Sequence, residues 1–200
     1  PNDGMGKRFK IQRNIFLNWE GQGDKPFILL GEDGYNFYEA EHVLIENNLM
    51  LGNSLNNIVA AVNYKGVRNI TFRANTIVGN LPGSSYAARI NLEGSNLINS
   101  DLYFYNNIWS DPTGTMNRFS IVANGHAQNI LIDNNLYWNN GNTVPTNDAL
   151  LNLNLDANSI TGNPILPSQN SIILPRWNRT MGTFLSGSNS IREEFERASI

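Results

Sequence analysis

The chain has 200 residues, with 14 Lys and Arg against 17 Asp and Glu, and a formal net charge of −3. That balance gives no general electrostatic case for a nucleic-acid partner or an anionic membrane surface. There is no cysteine, which excludes disulfides and thiolate metal sites, and no run of eighteen apolar residues that would span a membrane.

The chain opens with Pro1-Asn-Asp-Gly rather than methionine, and its first repeat lacks an upstream half. It therefore reads as a piece of a longer protein. Phe9-Lys-Ile-Gln-Arg-Asn-Ile-Phe-Leu17 is the first copy of a phrase that returns at residues 43–51, 70–78, 102–110 and 130–138. Each copy holds an apolar pair at alternate positions, two further residues, an asparagine and an apolar triplet. The asparagines are Asn14, Asn48, Asn75, Asn107 and Asn135, and they stand 34, 27, 32 and 28 residues apart. A period of this size is the signature of a solenoid or array.

A second apolar run precedes each later copy: Phe27–Gly31, Val59–Asn63, Ala87–Asn91, Ser120–Asn124 and Leu150–Asn154. Each period thus holds three short strand-like pieces, separated by Gly- and Pro-rich loops of uneven length. The sixth period, from Leu150, decays through Gly162-Asn-Pro-Ile-Leu166, and Ile172-Ile-Leu is the last strand-like piece. The tail reads Ser190-Ile-Arg-Glu193, a capping box, and predicts a short helix with Ile191 and Phe195 on one face. Such a helix would cover the open end of the stack. One domain is expected over 1–200, with coils at about 8–175 and a C-terminal cap at 176–200.

Strand alternation predicts three inward columns. They are Phe9, Val43, Ile70, Leu102, Ile130; Ile11, Ile45, Phe72, Phe104, Ile132; and Phe16, Met50, Ile77, Trp109, Tyr137. The 34 asparagines need a cause. A turn between strands favours a residue that tolerates left-handed backbone, and stacked amides can pair from coil to coil. Asn14, Asn48, Asn75, Asn107 and Asn135 are accordingly expected to form a structural ladder.

Three short strands per turn resemble the right-handed parallel β-helix of the pectate-lyase-like superfamily, over roughly six coils. The third copy, Val67-x-x-Ile70-x-Phe72-x-x-Asn75, also has leucine-rich-repeat spacing. The other copies place Ala40, Asn99 and Ala127 at its first position, and no helical pattern follows the asparagine. The resemblance implies an all-β, three-sheet solenoid, an extracellular or cell-surface location and a polysaccharide lying along the first sheet.

Aligned on Gly31, Asn63, Asn91, Asn124 and Asn154, the residues two places later are Asp33, Lys65, Glu93, His126 and Asp156. Two places earlier stand Leu29, Ala61, Arg89, Val122 and Asn152. Such a strip suits a sugar chain, because amides and charges bond hydroxyls and cations pair with uronate carboxylates. The expected substrate-binding residues are Asn63, Asn91, Glu93, Asn124, His126 and Asp33. The bland alternative is a row of alternating charges that steadies parallel strands.

Lyase members of the superfamily that cut uronic-acid chains imply a lysine base and an arginine beside the sugar carboxylate. Lys65 and Arg89 are the catalytic candidates on that resemblance. Asp33 and Glu93, placed around Lys65, work against it as a base, because they favour its charged form. Some members hold calcium through an asparagine and two glutamates. No pair of glutamates stands just before Lys65, so no calcium ligand is carried over and metal dependence stays open. The polygalacturonase pattern is absent, since the chain has Gly125-His-Ala and no matching pair of aspartates. No Gly-x-Ser-x-Gly elbow and no phosphate-binding loop occurs. Two classes remain: a polysaccharide lyase, and a non-catalytic carbohydrate-binding, adhesin-like or phage-fibre module.

Overall fold

In the computed structural model, residues 6–17, 25–52, 58–81, 84–167, 177–190 and 192–193 are described. The chain comprises two compact units, Pro1–Ile165 and Leu166–Ile200. The strands of the first unit follow the repeat. They are β1 (Lys10–Gln12) and β2 (Ile15–Leu17); β3 (Ile28–Leu30), β4 (Ala40–Glu46) and β5 (Leu49–Leu51); β6 (Val62–Tyr64), β7 (Val67–Arg73) and β8 (Thr76–Val78); β9 (Ala88–Ile90), β10 (Asn99–Tyr105) and β11 (Ile108–Ser110); β12 (Ser120–Val122), β13 (Ala127–Asp133) and β14 (Leu136–Trp138); and β15 (Ile160–Thr161).

Every pairing in this unit is parallel, and each strand bonds its counterpart one coil away. The first sheet is β3-β6-β9-β12, the second β1-β4-β7-β10-β13 and the third β2-β5-β8-β11-β14-β15. With four, five and six strands in the three sheets, the unit is a parallel β-solenoid of about four turns. The expected sixth coil contributes only β15. The Leu150–Asn154 run is not a strand, because Asp148 Oδ1 takes the N–H groups of Leu150 and Leu151 and a 3-10 turn follows at Leu153–Leu155.

The inward columns lie in register as expected: Val43, Ile70, Leu102 and Ile130; Ile45, Phe72, Phe104 and Ile132; Met50, Ile77, Trp109 and Tyr137. Inside the solenoid, Tyr64, Phe104, Phe72, Trp109, Phe119 and Tyr137 form a chain of rings with successive centroids 5.4–6.1 Å apart. Offset and edge-on ring packing of this kind stabilises beyond the area it buries. The hydroxyl of Tyr64 has no hydrogen-bond partner in this core.

The asparagine ladder runs along the corner between the second and third sheets. Asn14 Nδ2 donates to Asn48 Oδ1 at 3.0 Å, Asn48 to Asn75 at 2.9 Å, Asn75 to Asn107 at 3.2 Å and Asn107 to Asn135 at 3.0 Å. The second hydrogen of each inner Nδ2 goes to a backbone carbonyl of the coil behind: Ile11, Ile45, Phe72 and Phe104 for Asn48, Asn75, Asn107 and Asn135. Each of those Oδ1 atoms also accepts the backbone N–H of the preceding ladder asparagine. An amide offers two donors and two acceptor sites, and the inner members use all four.

The ladder ends on a carboxylate. Asp156 Oδ2 accepts from Asn135 N–H, Asn135 Nδ2 and the Tyr137 hydroxyl at 2.9–3.0 Å. The alignment on Asn154 placed Asp156 in the outward charged row; it is instead buried and takes the place of the next asparagine. Asp148 performs a similar service on the first sheet, where its Oδ2 accepts the edge N–H of Val122 at 2.6 Å. Acceptors from the irregular segment thus satisfy strand-edge donors where repetition stops.

Left-handed backbone falls one place earlier than expected. The residues before the ladder asparagines, Arg13, Asn47, Ala74, Asn106 and Asn134, have φ between +51° and +58°. A second left-handed column, His42, Asn69, Asp101 and Asn129, kinks the strands of the second sheet. Asn, Asp and His are the non-glycine types that occupy this region most readily. The asparagine excess therefore has two causes, amide pairing at one column and backbone conformation at its neighbours. In the second unit, Trp177–Asn178 and Thr183–Phe184 pair as an antiparallel hairpin with Trp177 edge-on to Phe184. The strand expected at Ile172 and the helix face of Ile191 and Phe195 lie outside the described residues.

Asn107→Ala is expected to cost roughly 1–3 kcal/mol in urea unfolding, because it strands the buried Asn75 donors. Asp156→Asn keeps an acceptor oxygen and should cost less than Asp156→Ala. Tyr64→Phe removes an orphan hydroxyl, so its urea midpoint should equal or exceed that of the wild type. A marked loss of stability in Tyr64→Phe would mean that the hydroxyl has a partner.

Candidate functional site

On the outer face of the first sheet, inward neighbours dictate which residues point outward. Ile28 and Leu30, Val62 and Tyr64, and Ala88 and Ile90 are buried in the core, so Leu29, Asn63 and Arg89 between them face out. These three stand side by side in the parallel register. They floor a groove of about 400 Å³ that is also lined by Lys25, Pro26, Glu32, Lys65, Asn91, Leu92, Glu93 and Gly94.

This register corrects the expected alignment. Asn63 pairs with Leu29 and Arg89, and Ile121 continues that row. Lys65 and Asn91 share the next level, since Lys65 N–H donates to Leu30 O at 2.9 Å and Asn91 N–H to Tyr64 O at 3.1 Å. The expected row joins Asn63 with Asn91, but the two are two residues out of step. A shift of two keeps each side chain on the same face, which is why the outward assignment survives. Lys65 and Arg89 stand on adjacent coils, one level apart within a face.

Five of the eight sequence-derived residues meet in this groove: Lys65, Arg89, Asn63, Asn91 and Glu93. The other three do not line it. Asp33 lies in the loop 31–39, where its backbone N–H donates to Glu39 Oε2 at 2.8 Å. Asn124 is exposed in a tight turn closed by His126 N–H to Ala123 O. His126 Nδ1 accepts the Leu92 N–H at 3.0 Å, which joins two successive corners. Lys25 and Glu32 were missed. The alternation of charge around the Phe27–Gly31 run was their signal, but both fall in loops that no repeat anchors.

The charges form a line. Lys25 Nζ lies 3.6 Å from Glu32 Oε1, Lys65 Nζ lies 3.6 Å from the same oxygen, and Lys65 also donates to Glu93. That donated bond holds the Glu93 carboxyl below its ordinary range. Arg89 lies outside the line, and its guanidinium has no hydrogen bond or ion pair with the described residues. Asn63 is only 6% exposed, and its Oδ1 has no hydrogen-bond partner; the Oδ1 of Asn91 likewise has none. Buried acceptors of this kind are uncommon and call for a reason.

One wall of the groove is braced from behind. The corner after β6 is only residues 65–66, whereas the loops before and after it are 31–39 and 91–98. These two longer loops meet above the short corner. Ser95 N–H donates to Gly34 O at 2.8 Å, and Asn96 Nδ2 donates to Glu39 Oε1 at 2.6 Å. Gly66, at φ +63°, leaves the space in which the Asn96 side chain sits; a Cβ there would stand 2.7 Å from its amide nitrogen. Glu39 gathers the loop by accepting the N–H groups of Glu32, Asp33 and Tyr35 at 2.7–3.1 Å. Burial of Glu39 opposes ionisation, but these bonds and Asn96 outweigh it, so its carboxyl sits below its ordinary 4.5.

Glu32 and Glu93 are both engaged by lysine, so the groove does not offer a free acidic pair for calcium. Among the described residues no three His, Asp or Glu side chains converge on one point. No helix among them is long and apolar enough to cross a membrane.

Comparison with known proteins returned no matching family model, curated protein or solved structure.

Glu39→Gln should lower the urea stability of the wild type by roughly 1–3 kcal/mol at neutral pH, because the charged acceptor is lost. The Glu39 carboxyl titrates below 4.5 in the folded chain, so its contribution is fully present above 4.5. It is lost as pH falls through the folded-state value, and the gap between wild type and Glu39→Gln should close there. A gap independent of pH would show that the carboxylate charge is not what holds the loop.

Proposed function

We propose that this chain is a carbohydrate-binding β-solenoid module whose first-sheet groove takes an acidic polysaccharide. The observation that carries this reading is Arg89: a guanidinium unpaired among the described residues, in a groove whose other cations already have carboxylate partners. A guanidinium recognises a carboxylate through two parallel N–H bonds, and an open groove leaves it room to do so. The side-chain amides of Asn63 and Asn91 line the same groove and supply neutral polar groups beside that carboxylate. A uronic-acid residue carries a carboxylate and hydroxyls on one ring. An extracellular or cell-surface setting, where such polymers occur, belongs to the same proposal.

A second reading, a uronate lyase with Lys65 as base and Arg89 steadying the sugar carboxylate, is favoured by their presence in one groove. The environment of Lys65 supports binding over catalysis. A base must accept a proton from the substrate, and Lys65 already donates to Glu93 with Glu32 beside it.

Titration with oligouronates, with neutral glucans as control, tests the binding reading. Selective, salt-weakened binding that falls about tenfold or more in Arg89→Ala is expected. Equal or absent binding of the two sugar classes removes the proposal. Incubation with alginate, pectate and chondroitin, read at the absorbance of the unsaturated product, tests the lyase. Product formation that is lost in Lys65→Ala with the fold intact would replace the binding module by the enzyme.

A further inference from the structure

The loop 31–39 carries three aromatic residues with different surroundings. Tyr38 lies under the Arg68 guanidinium, 4.6 Å from its ring centroid. Phe37 is half-buried and stacks on Tyr35, with centroids 5.3 Å apart and planes within 6° of parallel. Tyr35 is 52% exposed, and Phe37 is its one ring partner among the described residues.

An exposed aromatic on a long surface loop ordinarily has freedom to move, and this loop has little. Glu39 fixes the N–H of Tyr35 at 3.1 Å, and the Asn96 amide donates to the Tyr35 carbonyl at 3.3 Å. Gly34 packs against Glu93 and Gly94, two residues of the groove wall, and its carbonyl accepts the Ser95 N–H. The same loop supplies Glu32 to the groove. Tyr35 therefore stands just past the Glu93–Gly94 wall, backed by a second ring and held at both backbone atoms.

We infer that Tyr35 is a stacking platform for a second sugar residue, beyond the one whose carboxylate meets Arg89. This inference rests on the proposed reading of the groove as an acidic-saccharide site. The physical basis is the face of a pyranose ring, whose axial C–H groups carry partial positive charge toward the electron-rich face of the phenol. The two subsites then differ in chemistry. The groove takes charge and hydroxyls, and the platform takes the apolar face of the neighbouring ring. A platform fixed before binding adds affinity without the cost of ordering a loop.

The test compares galacturonate with trigalacturonate by titration on wild type, Tyr35→Ala and Tyr35→Phe, with urea melts to check the fold. The ratio of trisaccharide to monosaccharide affinity should fall about three- to tenfold in Tyr35→Ala, with monosaccharide affinity unchanged. Tyr35→Phe keeps the ring face and should keep the ratio. An unchanged ratio in Tyr35→Ala overturns the platform and leaves the groove standing. Loss of affinity for both ligands alike also overturns it, because that pattern marks a disturbed loop. Failure of the wild type to bind either ligand removes the groove reading and the platform with it.

Discussion

Everything in this solenoid depends on one requirement: a buried amide must find all its partners at the spacing of parallel strands. Coils repeat at about 4.8 Å, and an amide stacked at that distance can give to one neighbour and receive from the other. The inner ladder asparagines do this while also bonding a backbone carbonyl and a backbone N–H. Such saturation is unforgiving of slippage. A one-residue shift in any coil would strand donors and acceptors in an apolar interior, at a cost comparable to a lost hydrogen bond for each. The ladder thus sets the phase of the second and third sheets, and the columns of Val43, Ile45 and Met50 follow from it.

The same requirement explains how repetition stops. A strand edge exposes donors that the next coil would have taken. Asp156 and Asp148 come from an irregular segment, yet they place carboxylate oxygens where the next ladder amide and the next first-sheet carbonyl would have been. A carboxylate is suited to a terminus because it only accepts, and so creates no further demand for a partner. Asparagine in that place would carry two donors that need partners of their own.

Legibility followed repetition. The ladder positions and inward columns recur five times in sequence, so coincidence at one coil is corrected by the others. The first-sheet register was not legible, because the alignment used residues at different places relative to the strands: Asn63 lies within β6, whereas Gly31, Asn91 and Asn124 follow β3, β9 and β12. Behind those strands lie corners of 31–39, 65–66, 91–98 and 123–126, and no common offset survives such unequal lengths. Alternation still assigned Asn63 and Arg89 to the outer face, since a two-residue error preserves parity. Asp156 escaped because it follows Asn135 by 21 residues, outside the 27–34 spacing of the ladder asparagines, and differs from them in type. Lys25 and Glu32 escaped because a charge in a loop has no repeat to give it an address.

The charges of the groove limit what it can do. Its lining includes Lys25, Lys65 and Arg89 against Glu32 and Glu93, an excess of one cation in a chain of net charge −3. The geometry localises that excess. Lys25 and Lys65 share Glu32, Lys65 also holds Glu93, and Arg89 is left over. A groove of this kind meets one carboxylate of an acidic chain at one place, the Arg89 guanidinium, with neutral polar groups around it. An incoming carboxylate would find in that guanidinium a partner that no carboxylate among the described residues has taken. For Lys65 the balance runs the other way. Its attraction to two carboxylates is already realised in the free protein, so a substrate would have to displace one of them before the amine could act. The residue with unspent electrostatic capacity is Arg89, and recognition rather than proton transfer is the chemistry that an arginine supplies.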